Sequence, residues 1–600
     1  MPKMFGVLNL LALSQAIQAT YTTNTFDYVI VGGGPAGLVL ANRLSSHPDI
    51  TVAVIEAGDS AINNPNVTNL PRSIAEFGAG LGTSVDWAYK SAPQKYASNL
   101  TLRYSAGKAL GGTTTINGMT YLRAEKEQID AWEELGNPGW NWDSLWKYYL
   151  SQEHFQVPTS QQQSDGATYS EEAHGSEGEL DVGFNPYLTS QGAFDIIRRT
   201  SEAAGYPSNS DANSGEMRGT TTWPMTVDNT ALKREDAARA FYYPIAESRS
   251  NLHVFLNTTA TRIIWNEERS SNCGVTAISI EVVASDNSTN IIHAAKEVIL
   301  SAGSLRSPAL LEHSGIGNPA ILETFGVETV VPLSAVGSNL QDQPQAGVVY
   351  ASTTNWTGYP TFVTYLTASE LFGDDIDAVA NEVYANLSMY ATTILQDYAP
   401  NAVSLEAQTY LLKQQADLIF SPNSTVSLAE LLWAPLDNTI IIQSWNLLPF
   451  SRGSIHIASA NPTAAPSIDP NFFQLPIDVA IQAAILVRIR ELFATPPLSD
   501  HVTVELSPGF EAVPQNATWR DEAWNTWIKK SYGTNTHPVS VCAMMSEELG
   551  GVVDAEAKVY GTENVRVVDA SVFPTQISGH LSASVYAIAG KIADVILGKI

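Results

Sequence analysis

The stretch FDYVIVGGGPAGLVLANRLSSHPDITVAVIEAG, residues 26–58, decides the fold of the chain because it combines several signals in a fixed order. Residues 28–31 form a short apolar, β-branched run, which is typical of a buried parallel strand. Gly32, Gly34 and Gly37 then follow in the pattern G-x-G-x-x-G, apolar residues continue at helical spacing, and a second buried strand leads to Glu56. The sequence therefore predicts a βαβ unit that binds a dinucleotide.

The three glycines and the acidic residue have separate predicted roles. Gly32 makes the tight turn, Gly34 lets the main chain approach a pyrophosphate, and Gly37 lets the helix pack closely on the strand. The positive end of the helix attracts the phosphates. Glu56 is placed to accept hydrogen bonds from a ribose, which favours FAD or NAD over NADP. The motif alone does not separate FAD from NAD.

The length and charge of the chain limit its class. A chain of 600 residues is longer than one hydrophobic core usually supports, so we expect two domains. The net charge of −29 argues against binding nucleic acid or an anionic membrane surface, since both need clustered positive charge. No Cys/His cluster has metal-ligand spacing, so no metal site is predicted. The sequence leaves open whether Cys273 and Cys542 pair.

The first residues, MPKMFGVLNLLALSQAIQAT, have the pattern of a secretory signal peptide over residues 1–19. Their apolar run is too short to cross a bilayer, and no later stretch approaches transmembrane length. We expect a protein of the secretory pathway that is extracellular, in the cell wall or in a vacuolar or vesicular lumen. Eight N-x-S/T sequons agree with glycosylation on that route: Asn66, Asn99, Asn257, Asn287, Asn355, Asn386, Asn423 and Asn516.

Three later segments identify the cofactor. They are GKALGGTTTINGMTYLR (107–123), GSLRSPALLEHSGIG (303–317) and VRVVDASVFPTQISGHLSASVYAIAGKIAD (565–594), the last with an amphipathic helix after His580. Together with the glycine motif, they resemble the glucose–methanol–choline (GMC) oxidoreductases over nearly the whole chain. REDAARAFYYP (234–244) and GGVVDAEAKVYG (550–561) are most similar to the fungal glucose oxidase and FAD glucose dehydrogenase branch. The resemblance implies that the dinucleotide is FAD.

The resemblance also implies the fold, which is α/β plus α+β. A Rossmann-like FAD-binding domain is built from discontinuous segments, and the substrate domain contains an antiparallel sheet and helices. We assign 20–60, 105–155, 225–335 and 555–600 to the FAD-binding domain, and 61–104, 156–224 and 336–554 to the substrate-binding domain and lid segments. Residues 362–398 are predicted as helices, 438–448 and 453–460 as strands, and 160–180 as a surface loop.

Carried over position by position, the resemblance predicts which residues contact FAD. The helix that begins after His580 would direct its positive end at the flavin pyrimidine ring and stabilise the anionic reduced flavin. The predicted contacts are Gly32, Gly34, Pro35, Ala36, Gly37, Glu56, Thr113, Asn117, Gly118, Met119, Thr120, Ala260, Asp569 and Ala570.

Two of the ten histidines match the catalytic positions of the family. Oxidation of an alcohol requires a base near the working pH, and histidine titrates there, while the flavin carries the redox step. We expect His537 to be the principal base and His580 to hold the substrate hydroxyl and share the proton. Glu430, in LAELLWAP, aligns with a family glutamate that hydrogen-bonds one of this pair. The alternative interpretation of Glu430 is an exposed helical residue.

The sequence departs from the glucose-specific members at the substrate pocket. Their arginine and aromatic residue before the first catalytic histidine are here Gly533 and Thr536, and their pocket phenylalanine is Leu432, whereas their asparagine remains as Asn535. Because arginine offers five donors to sugar hydroxyls and glycine none, selectivity for glucose should be lost. We expect a roomier, less polar pocket for a bulkier or aromatic alcohol or a lactol-like fungal metabolite. Its predicted contacts are Asn535, Thr536, Leu432 and Trp445.

The leading functional hypothesis is an FAD-dependent oxidase or dehydrogenase that acts on CH–OH donors. A non-redox cyclase or lyase on the same fold, and a flavin-binding protein without catalysis, are the alternatives. The expected partners are a small-molecule alcohol, oxygen or a quinone-like electron acceptor and, in a homodimer, a second copy of the chain.

Overall fold

The computed structural model describes residues 25–267 and 274–600. The predicted signal peptide and Cys273 lie outside these residues, while Cys542 is a buried free thiol. The helices are α1 (Pro35–Ser45), α2 (Pro65–Thr68), α3 (Lys126–Asp130), α4 (Trp142–Gln152), α5 (Ser160–Ser164), α6 (Ala193–Ala203), α7 (Ala237–Phe241), α8 (Ser307–His313), α9 (Pro319–Thr324), α10 (Ala368–Phe372), α11 (Ile376–Leu395), α12 (Leu405–Phe420), α13 (Pro476–Ala494), α14 (Glu522–Ser531) and α15 (Leu581–Ile596).

The strands belong to two large sheets and several small ones. They are β1 (Thr25–Val31), β2 (Val52–Ile55), β3 (Tyr89–Lys90), β4 (Arg103–Tyr104), β5 (Glu153–Phe155), β6 (Leu180–Gly183), β7 (Gly219–Thr222), β8 (Met225–Asp228), β9 (Lys233–Arg234), β10 (Leu252–Phe255), β11 (Thr258–Trp265), β12 (Ala277–Ala284), β13 (Thr289–Leu300), β14 (Ile316–Gly317), β15 (Val331–Pro332), β16 (Ser338–Leu340), β17 (Pro344–Trp356), β18 (Phe362–Thr367), β19 (Ser427–Asn446), β20 (Gly453–His456), β21 (Ser467–Asp469), β22 (Val502–Ser507), β23 (Gly533–Thr534) and β24 (Val565–Val567).

The first large sheet confirms the predicted βαβ unit. Strands β10, β2, β1, β13 and β24 are parallel neighbours, and β12 and β11 extend β13 in antiparallel fashion. The apolar runs of β1, β2 and β13 are buried because helices α1 and α15 cover this sheet within the same core. Strands from three distant parts of the chain, 25–55, 252–300 and 565–567, thus meet in one layer, which is the Rossmann-like arrangement expected from the resemblance.

The second large sheet is antiparallel, in the order β22, β17, β19, β18 and β7, with β23 beside β17. Helices α10 to α13 pack against it in a second core. Leu447 N donates to Leu428 O at 2.9 Å, so the two ends of β19 lie side by side. The chain reverses near Asp437, where φ is +50°.

Two local predictions were wrong. Residues 362–367 form β18 and not a helix, because their β-branched and aromatic side chains pack on both faces of the second sheet, while the helices begin only at Ala368. Residues 160–164 form α5 within the predicted loop, since Thr159 and Gln162 make a capping box. The sequence analysis placed a domain boundary between residues 224 and 225. The small sheet of β5, β6, β8 and β9 contains strands from both sides of this boundary, so the boundary stays a prediction.

The structure also shows how exposed the asparagines of the eight sequons are. The side chains of Asn66, Asn99, Asn257, Asn287, Asn355, Asn423 and Asn516 are exposed, and Asn386 is half-buried within α11. Among the described residues, no helix has the length and apolar character needed to cross a bilayer.

Candidate active site

The glycine loop lies between β1 and α1 and is shaped by close main-chain contacts. A side chain at Gly32, where φ is +109°, would place its Cβ 2.2 Å from Ser301 O, and one at Gly37 would place it 2.0 Å from Gly32 O. Gly34 differs, since the nearest atom to its Cβ position is Gly112 Cα at 3.8 Å. Gly34 is the N-cap of α1 and has no side-chain cap, so the free N–H groups of the helix face open space.

Glu56 closes the loop from the end of β2. Its two carboxylate oxygens accept hydrogen bonds from Gly33 N at 2.9 Å and Gly58 N at 2.8 Å. Burial raises the pKa of this carboxyl to about 7. The side chain is fixed by two main-chain bonds, and Glu56 also lines a cavity.

One cavity of about 790 Å³ runs from the glycine loop to the two histidines of the sequence analysis. Of the predicted site residues, Gly32, Gly34, Pro35, Ala36, Glu56, Thr113, Asn117, Gly118, Thr120, Ala260, Leu432, Trp445, Asn535, Thr536, His537, Asp569, Ala570 and His580 line it. Gly37 supports the loop from behind. The Met119 side chain is only 1% exposed and packs in the second core, away from the cavity wall.

The part of the cavity that begins at the glycine loop, here called the long arm, fits a flavin dinucleotide. Ser301 Oγ and Ser304 Oγ are buried on its wall and have no hydrogen-bond partner within residues 25–267 and 274–600. Asp569 is held by Gly303 N at 2.9 Å and Ser307 Oγ at 2.6 Å, and burial raises its pKa. Unpartnered hydroxyls, a carboxyl group and the free end of α1 together match phosphate and sugar groups.

The other end of the cavity holds the histidine pair. The rings of His537 and His580 meet edge to face, with centroids 5.0 Å apart and planes at 85°. His537 follows Thr536, a β-branched residue with φ +57°, which is a strained conformation of the kind found at functional sites. Burial and, secondarily, the neighbouring His580 hold the pKa of His537 well below its ordinary value. The ring is therefore neutral near pH 7.

Glu430 contacts the second histidine. His580 Nε2 lies 3.2 Å from Glu430 Oε1, and the glutamate is only 1% exposed. Glu430 lies on β19 in the middle of the second sheet, so the alternative of an exposed helical glutamate is wrong. His580 is the N-cap of α15, and Leu581 and Ser582 of the first helical turn line the cavity. The positive end of this helix is thus directed into the cavity, and its predicted approach to the flavin pyrimidine ring stays a prediction.

The sequence analysis missed several residues near the histidines. Trp223, which lies between β7 and β8, lines the cavity, and its indole nitrogen is buried without a partner within the described part of the chain. The indole nitrogen of Trp445, a residue that the sequence analysis did predict, is likewise buried without a partner within the described part of the chain. Tyr359 and Gln345 line the same cavity. No local motif marks these residues, because strands distant in sequence bring them together.

A further missed residue is Gln343, which is fully buried beside His537. Gln343 Oε1 lies 3.0 Å from His537 Nδ1 and 2.7 Å from Asn535 Nδ2. The neighbouring Asp342 accepts a hydrogen bond from the main-chain N–H of His537 at 2.9 Å. In the sequence, the only signal that could have marked Asp342 and Gln343 as site residues is their position directly before β17.

Comparisons with known proteins agree with this geometry. Family models described as GMC oxidoreductase match residues 26–345 and 449–589. A glucose oxidase-like protein, fsoC, from Humicola fuscoatra is 42% identical over 98% of this chain and 98% of its own. A glucose oxidase from Aspergillus carbonarius is 34% identical over 97% and 95%. An FAD-dependent oxidoreductase from Chaetomium thermophilum, solved with a small-molecule fragment, has a TM-score of 0.85 and 27% identity, covering 96% and 99%.

Proposed function

The chain belongs to the GMC oxidoreductase family and is an FAD-dependent enzyme that acts on CH–OH donors, and from this premise we propose that His537 and His580 manage the proton of the alcohol. The observation that carries the proposal is the pair of rings 5.0 Å apart at the end of the cofactor cavity. This arrangement lets one substrate hydroxyl contact both imidazoles. The proposed substrate is an alcohol, lactol or sugar-like molecule.

The residues proposed to hold FAD lie along the long arm. Main-chain N–H groups at the start of α1 would bind the pyrophosphate, and Glu56 would accept bonds from the adenine ribose. Gly118 and Thr120 lie on the wall nearer the histidines, where the flavin ring would pack. When bound, FAD supplies the acceptor for the hydride that leaves the alcohol carbon.

The proton is handled by protein groups. His537 is neutral, so it can accept the hydroxyl proton as the C–H bond breaks. His580 can hold the hydroxyl oxygen, and Glu430 keeps the second ring in place through its bond at 3.2 Å.

The substrate end supports an alcohol with apolar or aromatic bulk. Leu432 and Tyr359 supply apolar wall, and Trp223 and Trp445 supply indole N–H donors that have no partner among the described residues. Because indole is a donor only, these groups favour a substrate that carries acceptor oxygens. Gly533 offers no side-chain donor at all. We propose a bulky alcohol or lactol, such as a fungal secondary metabolite, in preference to glucose.

The final electron acceptor and the location complete the proposal. Oxygen or a quinone-like molecule would reoxidise the flavin. The sequons with exposed side chains support glycosylation in the secretory pathway, and the N-terminal pattern supports export.

An anaerobic titration tests the proposal. The purified yellow holoenzyme is mixed with glucose, xylose, benzyl alcohols and lactols while its flavin absorption is followed. We expect bleaching by benzyl alcohols or lactols at rates well above those with glucose, and admission of air then distinguishes an oxidase from a dehydrogenase. Efficient bleaching by glucose would refute the proposed substrate class. Product formation without bleaching would instead support the non-redox cyclase or lyase.

A variant of the pocket tests the donor argument. Trp223→Phe keeps an aromatic ring and removes the N–H. We expect kcat/KM to fall about 5- to 10-fold, the value of one hydrogen bond, for substrates with an acceptor oxygen distant from the alcohol. Plain benzyl alcohol, which lacks such an oxygen, is the control and should be unaffected. An equal effect on both would contradict the proposed contact.

A further inference from the structure

We infer that Gln343 is a positioning residue that keeps the ring proton of His537 on Nδ1 and leaves Nε2 unprotonated toward the cavity. This inference rests on the proposed role of His537 as the base. A neutral imidazole carries one proton on either nitrogen, and only the unprotonated nitrogen can accept the proton of an alcohol. The hydrogen bond of the other nitrogen decides which form is present.

The orientation of the Gln343 side-chain amide is fixed by two main-chain carbonyl groups. Gln343 Nε2 lies 3.1 Å from Leu447 O and 3.1 Å from Ile577 O. Both partners are acceptors, so the atom that faces them must be the NH₂ group. The opposite atom, Oε1, is therefore the carbonyl oxygen, and it is directed at His537 Nδ1. A carbonyl oxygen can only accept, so Nδ1 must donate.

Asn535 does not compete for this nitrogen, although its Nδ2 lies 3.0 Å from His537 Nδ1. Gln343 Oε1, Asn535 Nδ2 and His537 Nδ1 form a triangle with sides of 2.7, 3.0 and 3.0 Å. The angles of such a triangle are about 60°, whereas the two N–H bonds of an amide diverge by about 120°. The N–H of Asn535 that reaches Gln343 thus leaves none directed at the histidine. Both donors converge on one oxygen.

The rest of His537 is held from two other sides. Its main-chain N–H donates to Asp342 Oδ1 at 2.9 Å, and its carbonyl oxygen accepts from Gln576 Nε2 at 2.9 Å. These bonds fix the main chain, and the Gln343 bond fixes the ring. The titratable groups near the ring are His580 and, through the main chain only, Asp342. Within the described part of the chain no carboxylate contacts Nδ1, so a neutral amide and not an acid orients this base.

The first experiment reads the tautomer directly, independent of turnover. The holoenzyme is labelled with ¹⁵N in its histidine rings, and the NMR chemical shifts of the ring nitrogens are recorded at pH 7. The chain has ten histidines, so the signal that disappears in the His537→Gln variant is assigned to His537. We expect His537 to be neutral with the proton on Nδ1. A proton on Nε2 would overturn the inference, whether or not the enzyme oxidises an alcohol.

The second experiment uses Gln343→Leu, which removes the acceptor at similar volume. We expect the ¹⁵N signals to shift toward the Nε2-protonated form, and the anaerobic rate of flavin reduction to fall about 10- to 100-fold. Gln341→Leu is the matched control, because Gln341 is equally buried in the same segment but bonds Ser540 and Gln576 instead of the histidine. The control should keep the wild-type tautomer and a rate within about 2-fold of wild type.

The conservative variant Gln343→Glu separates positioning from packing. The carboxyl oxygen that faces Leu447 O and Ile577 O must carry a proton, while the other oxygen accepts from Nδ1, so the tautomer should be retained without a new charge. We expect the ¹⁵N signal of the Nδ1-protonated form to be kept and most of the rate of flavin reduction to be recovered. Loss of that signal in Gln343→Glu, or a Gln343→Leu enzyme with the wild-type tautomer, would overturn the inference.

Discussion

Two alanine substitutions in the glycine loop should separate folding from cofactor binding. At Gly37 the new Cβ would lie 2.0 Å from Gly32 O, and real Cβ atoms are not found within 3.0 Å of such an atom, so the gap must open by at least 1.0 Å. Helix α1 then moves away from β1, and overpacking of this kind costs about 1–3 kcal/mol. At Gly34 the nearest atom is 3.8 Å away, and φ −87° with ψ −169° suits alanine.

Gly34→Ala should therefore leave the free energy of unfolding of the flavin-free protein within about 0.5 kcal/mol of wild type. Its methyl group instead occupies the space where the pyrophosphate would approach the main chain. Loss of one hydrogen bond to a charged phosphate, about 1.5–3 kcal/mol, weakens FAD binding by about 10- to 100-fold. Gly37→Ala should weaken FAD binding and also destabilise the flavin-free protein by about 1–3 kcal/mol.

The assay is denaturant unfolding of the flavin-free proteins, followed by titration with FAD monitored by quenching of flavin fluorescence. Equal losses of stability in the two variants would refute the roles assigned to the two glycines, which are helix packing for Gly37 and close approach of the pyrophosphate to the main chain for Gly34. Wild-type FAD affinity in Gly34→Ala would show that the pyrophosphate does not lie at this loop.

Three further outcomes follow from the substrate end of the site. Glu430→Gln, which removes the charge from the bond to His580, should slow anaerobic flavin reduction about 10-fold at unchanged flavin content; an unaltered rate would contradict its role. Because burial lowers the pKa of His537, kcat/KM should stay constant as pH falls through 6.5 and decline only below it; a midpoint at or above 6.5 in the pH–rate profile would exclude this base. Gly533→Arg would place its new Cβ 3.0 Å from Gln345 Oε1, the end of a flexible side chain that must shift by a few tenths of an ångström. It should raise kcat/KM for glucose relative to benzyl alcohol about 10-fold, and an unchanged ratio would disprove the selectivity argument.

The parts of the fold with a local cause could be predicted from the sequence. Residues 26–58 specify strand, turn, helix and strand in continuous order, and β1, α1 and β2 follow in that order in the structure. Helix α15 after His580 is equally local, since its apolar residues repeat at helical spacing. Residues 362–367 show the limit, because β18 becomes a strand only through its pairing with β19 and β7.

The candidate site was predictable only where a family pattern covered it. His537, His580 and Glu430 were named from such patterns, and their distances depend on the meeting of β19 with the C-terminal loop. Gln343 and Trp223 belong to no pattern with a chemical meaning of its own. Their importance arises from hydrogen bonds, made or missing, that only the assembled sheets determine.

The contacts of Asn535 explain why it remains while its neighbours differ from the glucose-specific pattern. Asn535 Nδ2 donates to Gln343 Oε1 at 2.7 Å, the same oxygen that accepts from the base, so a change here would disturb the proton position on His537. Thr536 faces the cavity, and Gly533 faces only the Gln345 side chain on its wall. The groups that orient the base are thus separate from those that select the substrate. A change of substrate can then proceed at the second set while the first set keeps the proton chemistry intact.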